Sequence, residues 1–578
     1  MIESNTTSAV HPYHIWIFAP CDNKESATPT SHELNLLNFN QVLSTFKLEV
    51  TLELEELIPQ SDSVSLVSLP IKTVEDFHPL RIAANIAPLK PLLDCHQTIK
   101  RRLEEKISDA QCKELISQYQ SHPLIGGSVN NVLNANNETV VATPQSSNKE
   151  NQDIDRLFGL LDLGDQVDES SPQDNQSDES LSPAYKGILS TSLHEIQRPL
   201  FQHINKVLQS DNLQALEQTW RGLKFLVDKL PENGNIVLTL FNTSKNSLAL
   251  NYTNAIASAD ESRLPALVVF DFEVNCTSHD LTMLSDIAIS CEDYQAPSII
   301  NLSNSFMGKT NAQALLGTGN DLARMFSQPQ YIKWKSLREK TEARWVTSCF
   351  NRFLLRAPYN RHNNPELAFS EWVAGDDVLL MGHPSWMVAA LVMQSINSYQ
   401  WPTELSPPHG VVENIALHSF DLSAEQRFEI PLETLVDDEL SEKIAEAGVC
   451  TLLCQPDRDQ VFVRKLPTLI KPTQYDNSVL NYRQQLMAGL PYQLLSTYLV
   501  NIFLANIQQF ISATSNSEMN NRIEQFFLSL IESSGDECSV NAEVVADNHN
   551  PGHYIAKIKI KMGNRIMNGV EVELGLPL

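Results

Sequence analysis

The stretch "QALEQTWRGLKFLVDKL", residues 214–230, has the apolar spacing of a helix with one buried face. Its apolar residues recur every three or four positions, at Leu216, Trp220, Leu223, Leu226, Val227 and Leu230. A Trp on such a face is ordinarily a core residue. Gly222 is unusual, because Gly inside a helix costs about 1 kcal/mol relative to Ala. The pattern predicts a core helix, and it leaves open whether Gly222 admits a closely packed neighbour.

The length and charge of the chain limit the classes of protein to consider. A chain of 578 residues is too long for one core, so three or four domains are expected. Its net charge of -28 argues against binding to nucleic acid or to an anionic membrane. The sequence has no apolar run of about 18 residues and no signal peptide, so we expect neither a transmembrane helix nor secretion. Nine scattered cysteines indicate reduced thiols in the cytoplasm.

Motifs of known catalytic sites are missing from the sequence. There is no phosphate-binding Gly loop, no His-Glu-x-x-His helix and no Gly-x-Ser-x-Gly turn. Cys450 and Cys454 lack further ligands at zinc-site spacing and are interpreted as core residues. His383, in "MGHPSW", lies at a predicted helix start and has no evident partner. We therefore predict no catalytic, metal or cofactor site, and a structural protein rather than an enzyme.

The patterns along the chain predict an α/β protein, of mixed α+β character, with several domains. Residues 13–115 read as one small α/β unit that begins with the strand "HIWIFAP". Residues 121–192 have the Ser, Asn and Asp content of a linker, and residues 149–179 alone contribute -8 to the charge. From residue 193 onward strands and helices alternate, as in a mostly parallel sheet.

Several motifs, in one order, resemble the large sheath subunit of bacterial type VI secretion systems (TssC, also called VipB). "NLQALEQTWRGLKFLVD", residues 212–228, resembles the family phrase "F..LE..WRGL..LV". "YIKWKSLREKTEARWVTSCFNRFLLRAPYN", residues 331–360, is similar to "W..LR..E.ARY..L..PRFLLR.PYG" and is the most specific match. "KPTQYDN", "LPYQLLSTYLVNI" and the final "VEVELGLPL" also have counterparts. Three departures are "MGHPSW" in place of "WGNAAF", "FDFEV" in place of "GDYEF", and Glu371 to Asp377, a stretch that is shorter and more acidic than in the family.

The front of the chain resembles the small sheath subunit (TssB, also called VipA). The similar stretch is "LPIKTVEDFHPLRIAANIAPLKPLLDCHQTIKRRL", residues 69–103. The two resemblances together imply a natural fusion of both subunits. We therefore assign residues 1–120 to a small-subunit region, 121–192 to the acidic linker, 193–375 to the N-terminal part of the large-subunit region and 376–578 to its C-terminal part.

The resemblance implies a subunit of a contractile sheath. Such a sheath is a helical polymer of copies of the subunit around an inner tube of Hcp rings, and it contracts to drive the tube outward. A filament of this kind needs heterologous contacts that do not close into a ring. The expected location is the bacterial cytoplasm, with attachment through baseplate components to the envelope-spanning complex and without membrane insertion. The alternative is a sheath-like accessory or capping protein that does not itself polymerise.

Two groups of residues are candidates for binding partners. In the linker, "DIDRLFGLLDL" places Ile154, Leu157, Phe158 and Leu161 at helical spacing. The family implies that such a helix is bound by the ClpV-type AAA+ ATPase that disassembles the contracted sheath. The alternative is that this segment packs within its own chain or stays disordered.

The second group is in the last strand of a predicted C-terminal hairpin. Val570, Val572, Leu574 and Leu576 alternate with polar residues and predict one apolar face. The polar face, opposite the apolar one, carries Lys on one strand and Glu on the other, and these charges are expected to pair across the strands. The family implies that this strand is exchanged between subunits by β-augmentation, so deletion of residues 570–578 should abolish polymerisation. The alternative is a strand that only completes the sheet of its own domain.

Overall fold

The computed structural model describes residues 11–22, 30–54, 65–135, 181–232, 234–260, 263–316, 322–373, 379–423, 425–546, 553–567 and 569–578. The described helices are α1 Phe39–Thr45, α2 Pro79–Asn85, α3 Lys90–Leu103, α4 Asp109–Ser117, α5 Gly126–Asn134, α6 Pro183–Leu208, α7 Asp211–Val227, α8 Leu248–Ala257, α9 Ser278–Asp293, α10 Leu322–Phe326, α11 Ile332–Arg338, α12 Pro384–Tyr399, α13 Asp438–Glu446, α14 Ser478–Met487, α15 Leu490–Ala505, α16 Ile507–Ile511, α17 Asn516–Glu532 and α18 Asn564–Met567.

The described strands are β1 Tyr13–Ala19, β2 Ser31–Leu34, β3 Leu48–Leu54, β4 Ser65–Ile71, β5 Ile236–Asn242, β6 Leu267–Val274, β7 Ser298–Leu302, β8 Val346–Phe350, β9 Phe353–Leu354, β10 Met381–Gly382, β11 Val411–Val412, β12 His418–Ser423, β13 Gln426–Ile430, β14 Val449–Thr451, β15 Leu453–Cys454, β16 Val461–Phe462, β17 Ser539–Ala546, β18 Tyr554–Lys561 and β19 Glu571–Pro577. They confirm the predicted mixture of helices with mixed sheets.

The chain divides into two compact units. One consists of Met1–Val50, Pro70–Phe77 and Leu208–Leu578, and the other of Thr51–Leu69 and His78–Val207. These units do not coincide with the regions drawn from the sequence, since the first fifty residues belong to the same unit as the C-terminal half.

A seven-stranded sheet forms the centre of the larger unit, in the order β14–β8–β7–β6–β1–β5–β2. The first six strands are parallel to one another, and only β2 is antiparallel to its neighbour. The strand order reverses between β1 and β6, which makes this pair the topological switch point of a doubly wound sheet. The carboxyl ends of β1 and β6 are therefore where such sheets bind ligands.

The position of β1 differs from the small α/β unit expected over residues 13–115. Every residue of β1 is buried, and the strand lies between β5 and β6. A strand buried on both faces reads as a continuous apolar run, as "HIWIFA" does, and it needs neighbours on both sides. The sequence predicted the strand itself, but neither its complete burial nor its neighbours.

The smaller unit is built mainly from helices α2 to α6. The ion pair between Arg102 and Asp109 joins α3 to α4, with 2.5 Å between Nε and Oδ1. Ser128 on α5 donates a hydrogen bond to Glu195 on α6 over 2.6 Å. Both α5 and the start of α6 fall within the predicted linker, so its two ends are helical. Val129 and Val132 explain this for α5, because they are buried at i, i+3 spacing despite the polar composition around them.

Candidate functional site

The Trp-Arg-Gly motif lies on α7 where two other segments meet this helix. Trp220 is fully buried, and its indole Nε1 donates a hydrogen bond to the carbonyl of Cys21 over 3.1 Å. Gly222 faces Trp386 of α12, and a Cβ at Gly222 would lie 2.5 Å from the indole Nε1 of Trp386. That distance is far inside van der Waals contact. Gly222 is therefore present because the Trp386 ring packs directly against the α7 backbone.

A buried charge network connects the two motifs that are most specific in the sequence. Glu217 of α7 is fully buried and accepts bonds from Arg221 at 2.6 Å and Arg356 at 2.9 Å. Arg356 also binds Glu371, with 2.7 Å between Nη1 and Oε2. Its guanidinium lies 4.3 Å from the ring centroid of Tyr359. The Trp-Arg-Gly helix and the segment "RFLLRAPY" are thus held together by paired charges.

The pKa shifts in this network follow from its charges. Burial acts to raise the pKa of Glu217, but the guanidinium groups of Arg356 and Arg221 outweigh burial and lower it. Burial acts to lower the pKa of Arg356, but Glu217 and Glu371 raise it above its usual value. Glu217 and Arg356 therefore stay ionised at neutral pH. Each needs its partners, because an unpaired buried charge is strongly destabilising.

The switch point of the sheet is filled by the protein's own side chains. Asp271 follows Phe270, the last residue of β6 that pairs with β1, and it accepts one hydrogen bond from Thr219 of α7 at 3.2 Å and pairs with His383 at 2.6 Å. His383 is the residue before α12, so the sequence motif "MGHPSW" supplies a partner for Asp271 of "FDFEV". The histidine that had no evident partner in the sequence is thus paired. Two of the departures from the family pattern, "MGHPSW" and "FDFEV", thus contact each other.

His383 gives this cluster a pH dependence. Burial acts to lower the His383 pKa, but Asp271 and, to a smaller extent, Glu273 raise it overall, against an opposing effect from Arg352. A raised folded-state pKa means that the pair's stabilisation is complete below the unfolded pKa of about 6.5 and is lost as pH rises through the folded value. We expect His383→Asn to remove this component. Relative to that variant, the wild-type melting temperature should therefore fall as pH rises from about 6 to 9. Parallel pH profiles of the two proteins would contradict this prediction.

The C-terminal strands form a three-stranded antiparallel sheet, in the order β17–β18–β19. Val570, Val572, Leu574 and Leu576 are all buried, as the alternation predicts. Ile558 and Ile560 of β18 lie on the same buried face. On the opposite face Lys559 Nζ lies 2.9 Å from Glu573 Oε1, which confirms the expected pairing of charges. The strand therefore completes a sheet within its own chain, and its exchange between subunits stays a prediction.

The two edges of this sheet differ. At the β17 edge, the backbone N–H groups of Ala542 and Val544 donate to Glu524 and Asn520 of α17, each over 2.9 Å. At the other edge, the backbone N–H of Tyr554 bonds to the carbonyl of Leu578 and the N–H of Leu578 bonds to the carbonyl of Tyr554. These two residues are therefore a hydrogen-bonded pair of the β18–β19 ladder, and every second residue from Leu578 is bonded to β18 in the same way. The even-numbered residues of β19 therefore bond to β18, and its odd-numbered residues direct their backbone groups outward.

The outward-facing residues of β19 include Glu571, Glu573 and Gly575, and Pro577 has no N–H to offer. Within the described ranges, the outward N–H and carbonyl groups of Glu571, Glu573 and Gly575 make no hydrogen bond to another backbone group. Among the described residues, side chains of α17 bond to the β17 edge, whereas the outward backbone groups of β19 make no such bond, and in this hydrogen-bonding sense the β19 edge is open. Open edges of this kind are sites for strand addition.

Several residues of the buried network were not identified from sequence. Glu217, Arg356 and Asp271 were part of quoted motifs but received no role, and Glu371 belongs to the acidic stretch that was noted only as a departure from the family. The available signal was a Glu on the apolar side of α7, between Leu213, Leu216 and Trp220, since a buried carboxylate requires a partner. The linker candidates Ile154, Leu157, Phe158 and Leu161 lie outside the described residues.

Two further properties concern the described part of the chain only. There, no cluster of three or more His, Cys, Asp or Glu side chains has a geometry that would hold a metal ion. No described helix combines the length and the apolar character needed to span a bilayer.

Comparison with known proteins identifies both regions of the chain. Residues 190–469 match the VipB family model, described as "EvpB/VC_A0108, tail sheath N-terminal domain". Residues 22–122 match the model described as "Type VI secretion system, VipA, VC_A0107 or Hcp2". The type VI secretion system sheath protein TssC1 of Pseudomonas aeruginosa is 24% identical over 415 residues, which cover 65% of this chain and 82% of that protein.

Two solved structures overlap with the fold. The baseplate of the anti-feeding prophage matches with a TM-score of 0.34 at 11% identity, over 59% of this chain and 75% of that chain. The sheath tail protein Lin1278 of Listeria innocua matches with a TM-score of 0.32 at 9% identity, over 58% of this chain and 61% of that chain. The two family matches follow each other along the sequence, so a region that matches the VipA family model and a region that matches the VipB family model are joined in one polypeptide.

Proposed function

We propose that this structural subunit of a contractile type VI sheath polymerises with copies of itself by strand addition at the β19 edge. In this proposal the polymer surrounds an Hcp inner tube, grows in the cytoplasm from baseplate components and contracts to drive the tube outward. No catalytic group is needed, because the work comes from a change between two packings of the same folded units. The covalent link keeps the two subunit types at a ratio of one to one.

The observation that carries the proposal is the difference between the two edges of the C-terminal sheet. Glu524 and Asn520 cover the β17 edge, so among the described residues of this sheet the β19 edge is the one left for an incoming strand. One open edge in the C-terminal sheet gives each subunit a place in that sheet to receive a neighbour. A contact of this heterologous kind builds a filament when its rotation does not close.

A single substitution tests strand addition without removing β19. Gly575→Pro deletes one outward N–H and leaves the bonds to β18 in place. A side chain at Gly575 also has open space around it, since nothing lies within 4 Å of its Cβ position. We expect the wild-type chain to form tubules in electron micrographs when no separate sheath subunit is present. The variant should be folded and at least about tenfold poorer in pelleted polymer, because main-chain bonds supply the affinity of strand addition.

Gly575→Ala is the matched control, because it adds a Cβ in the same place and keeps the N–H. It should polymerise like the wild type. Equal polymer from the Pro and Ala variants would exclude strand addition at this edge. A wild-type chain that stays monomeric at all salt and protein concentrations would instead favour the capping or accessory role.

We also propose that Ile154, Leu157, Phe158 and Leu161 form the binding site for a ClpV-type ATPase. Amphipathic helices commonly bind by laying such an apolar stripe in a groove. The double variant Leu157→Asp/Phe158→Asp should lose ATPase pull-down and keep normal tubules. If the double variant were pulled down by the ATPase as well as the wild type, this segment would not be the ATPase-binding site.

A further inference from the structure

Helix α14 turns its apolar side chains toward solvent. None of its ten residues is buried. Val479 is 65% exposed, Leu480 42% and Tyr482 49%. At 100° per residue, these positions and Met487 lie within an arc of about 160°. An apolar face on a helix of a folded protein normally has a covering partner, so this face indicates an interaction surface.

A basic cleft adjoins the same helix. It has a volume of about 710 Å³ and lies between Tyr482 and Leu486 of α14 and the cations Arg464, Lys465 and Lys471. Arg338 and the carboxylates Glu442 and Glu446 also line it, so its cations outnumber its acids by four to two. Residues 461–490 contain four basic residues and one acidic residue, in a chain whose net charge is -28. Two of the cations, Arg464 and Lys465, pair with exposed carboxylates at 2.9 and 3.0 Å. Such exposed pairs are weak and can be exchanged for another acidic partner.

The charge of the chain indicates which partner fits this surface. Two copies at -28 each repel one another, so contact between them is favoured where basic residues face an acidic region. Helix α14 also lies close to the open β19 edge of the C-terminal sheet, since Arg483 Nη2 is 3.5 Å from Glu571 Oε2 at the start of β19. A neighbouring copy bound at that edge would meet α14 next.

We propose that α14 and its basic cleft form a second docking surface, which receives an acidic region of a neighbouring copy of this chain. The apolar arc supplies the buried contact, and the cations of the cleft select an acidic partner and set its orientation. This inference rests on the proposed self-association of the chain. It adds a contact outside the C-terminal sheet that responds to ionic strength.

Photo-crosslinking of the full-length chain tests the proposal. p-Benzoylphenylalanine placed at Val479 should give a product of twice the chain mass, with the acceptor peptide in an acidic region. Its yield should fall about fivefold or more between low and high salt, because exposed charges are screened. Leu115 is the matched control position, because it is a leucine that is 50% exposed on α4. Crosslinking at Val479 no higher than at Leu115, or only within one chain or to a different protein, would overturn the inference.

A charge reversal tests the role of the cleft. Lys471→Glu should lower the dimer yield from position 479 about tenfold, since like charges oppose association. Lys186→Glu, an exposed reversal on α6, should leave the yield unchanged. Equal dimer yields from the Lys471→Glu and Lys186→Glu variants would show that the cleft takes no part in the contact, and this result would overturn the proposal.

The same experiment separates this inference from the proposed function. Tubules without any crosslink from Val479 would refute the α14 surface and leave strand addition intact. Crosslinked pairs from a wild-type chain that never forms tubules would refute the polymer and support the α14 surface.

Discussion

Replacing Arg356 with Met should lower the free energy of unfolding of the larger unit by about 3–5 kcal/mol. Arg356 is the shared partner of Glu217, which is fully buried, and of Glu371, whose side chain is 4% exposed. Its removal leaves Glu371 without an ion-pair partner among the described residues and leaves Glu217 with Arg221 alone. A buried carboxylate without its cation must be protonated or hydrated, and both are costly.

Tryptophan fluorescence during urea unfolding is a suitable measurement, because all seven tryptophans lie within the larger unit. Lys224→Met is the control on the same helix. Lys224 pairs with Asp228, but both side chains are exposed, at 39% and 50%, so the loss should stay below about 1 kcal/mol. Similar losses for Arg356→Met and Lys224→Met would show that the network is not what holds these segments together.

A double-mutant cycle then isolates the coupling between Glu217 and Arg356. The variant Glu217→Met/Arg356→Met should be more stable than the sum of the two single losses predicts, because neither charge then remains without the other. Additive losses would mean that the two residues act independently.

Gly222→Ala should destabilise the protein by about 1–3 kcal/mol, although Ala is the better helix former. The added Cβ meets three atoms of the Trp386 ring at 2.5, 2.7 and 2.9 Å. Trp386 is fully buried within α12 and cannot turn aside without moving its neighbours. The clash therefore outweighs the gain of about 1 kcal/mol in helix propensity.

Two further variants identify the cause of the effect. Trp386→Phe should rescue Gly222→Ala, because the smaller ring leaves room and the indole Nε1 has no hydrogen-bond partner within the described residues. Gly187→Ala in α6 is the matched control, since nothing lies within 4 Å of its Cβ position. That change should raise stability by up to about 1 kcal/mol in thermal unfolding followed by circular dichroism. Destabilisation by both Gly variants, without rescue by Phe, would rule out the contact with Trp386.

The sequence by itself determined the local structure around both candidate sites. The spacing of apolar residues predicted α7 and its buried stripe, which includes Trp220 and Leu223. The alternation along the last two strands predicted their buried face and a pairing of Lys with Glu across the strands, which the structure shows at Lys559 and Glu573. These features were predictable because helix and strand periods fix which residues share a face.

Sequence spacing also gave misleading boundaries where a segment's partner was distant. The strand at the start of the chain was assigned to a small unit over residues 13–115, but it lies between β5 and β6. The ends of the polar linker proved helical, because a few buried apolar residues suffice when a neighbouring helix covers them.

Only the tertiary structure decided which residues meet across these distances. Glu217 and Arg356 are 139 positions apart, and Asp271 and His383 are 112 apart. The spacing of apolar residues indicates that Glu217 lies beside buried residues, but it does not indicate which cation pairs with its carboxylate. The difference between the two edges of the C-terminal sheet was likewise decided by packing, because the side chains of α17 cover the β17 edge and not the β19 edge. Local patterns fix the face on which a residue lies, whereas its partner is fixed by how distant elements pack, because contact free energies depend on spatial neighbours and not on sequence separation.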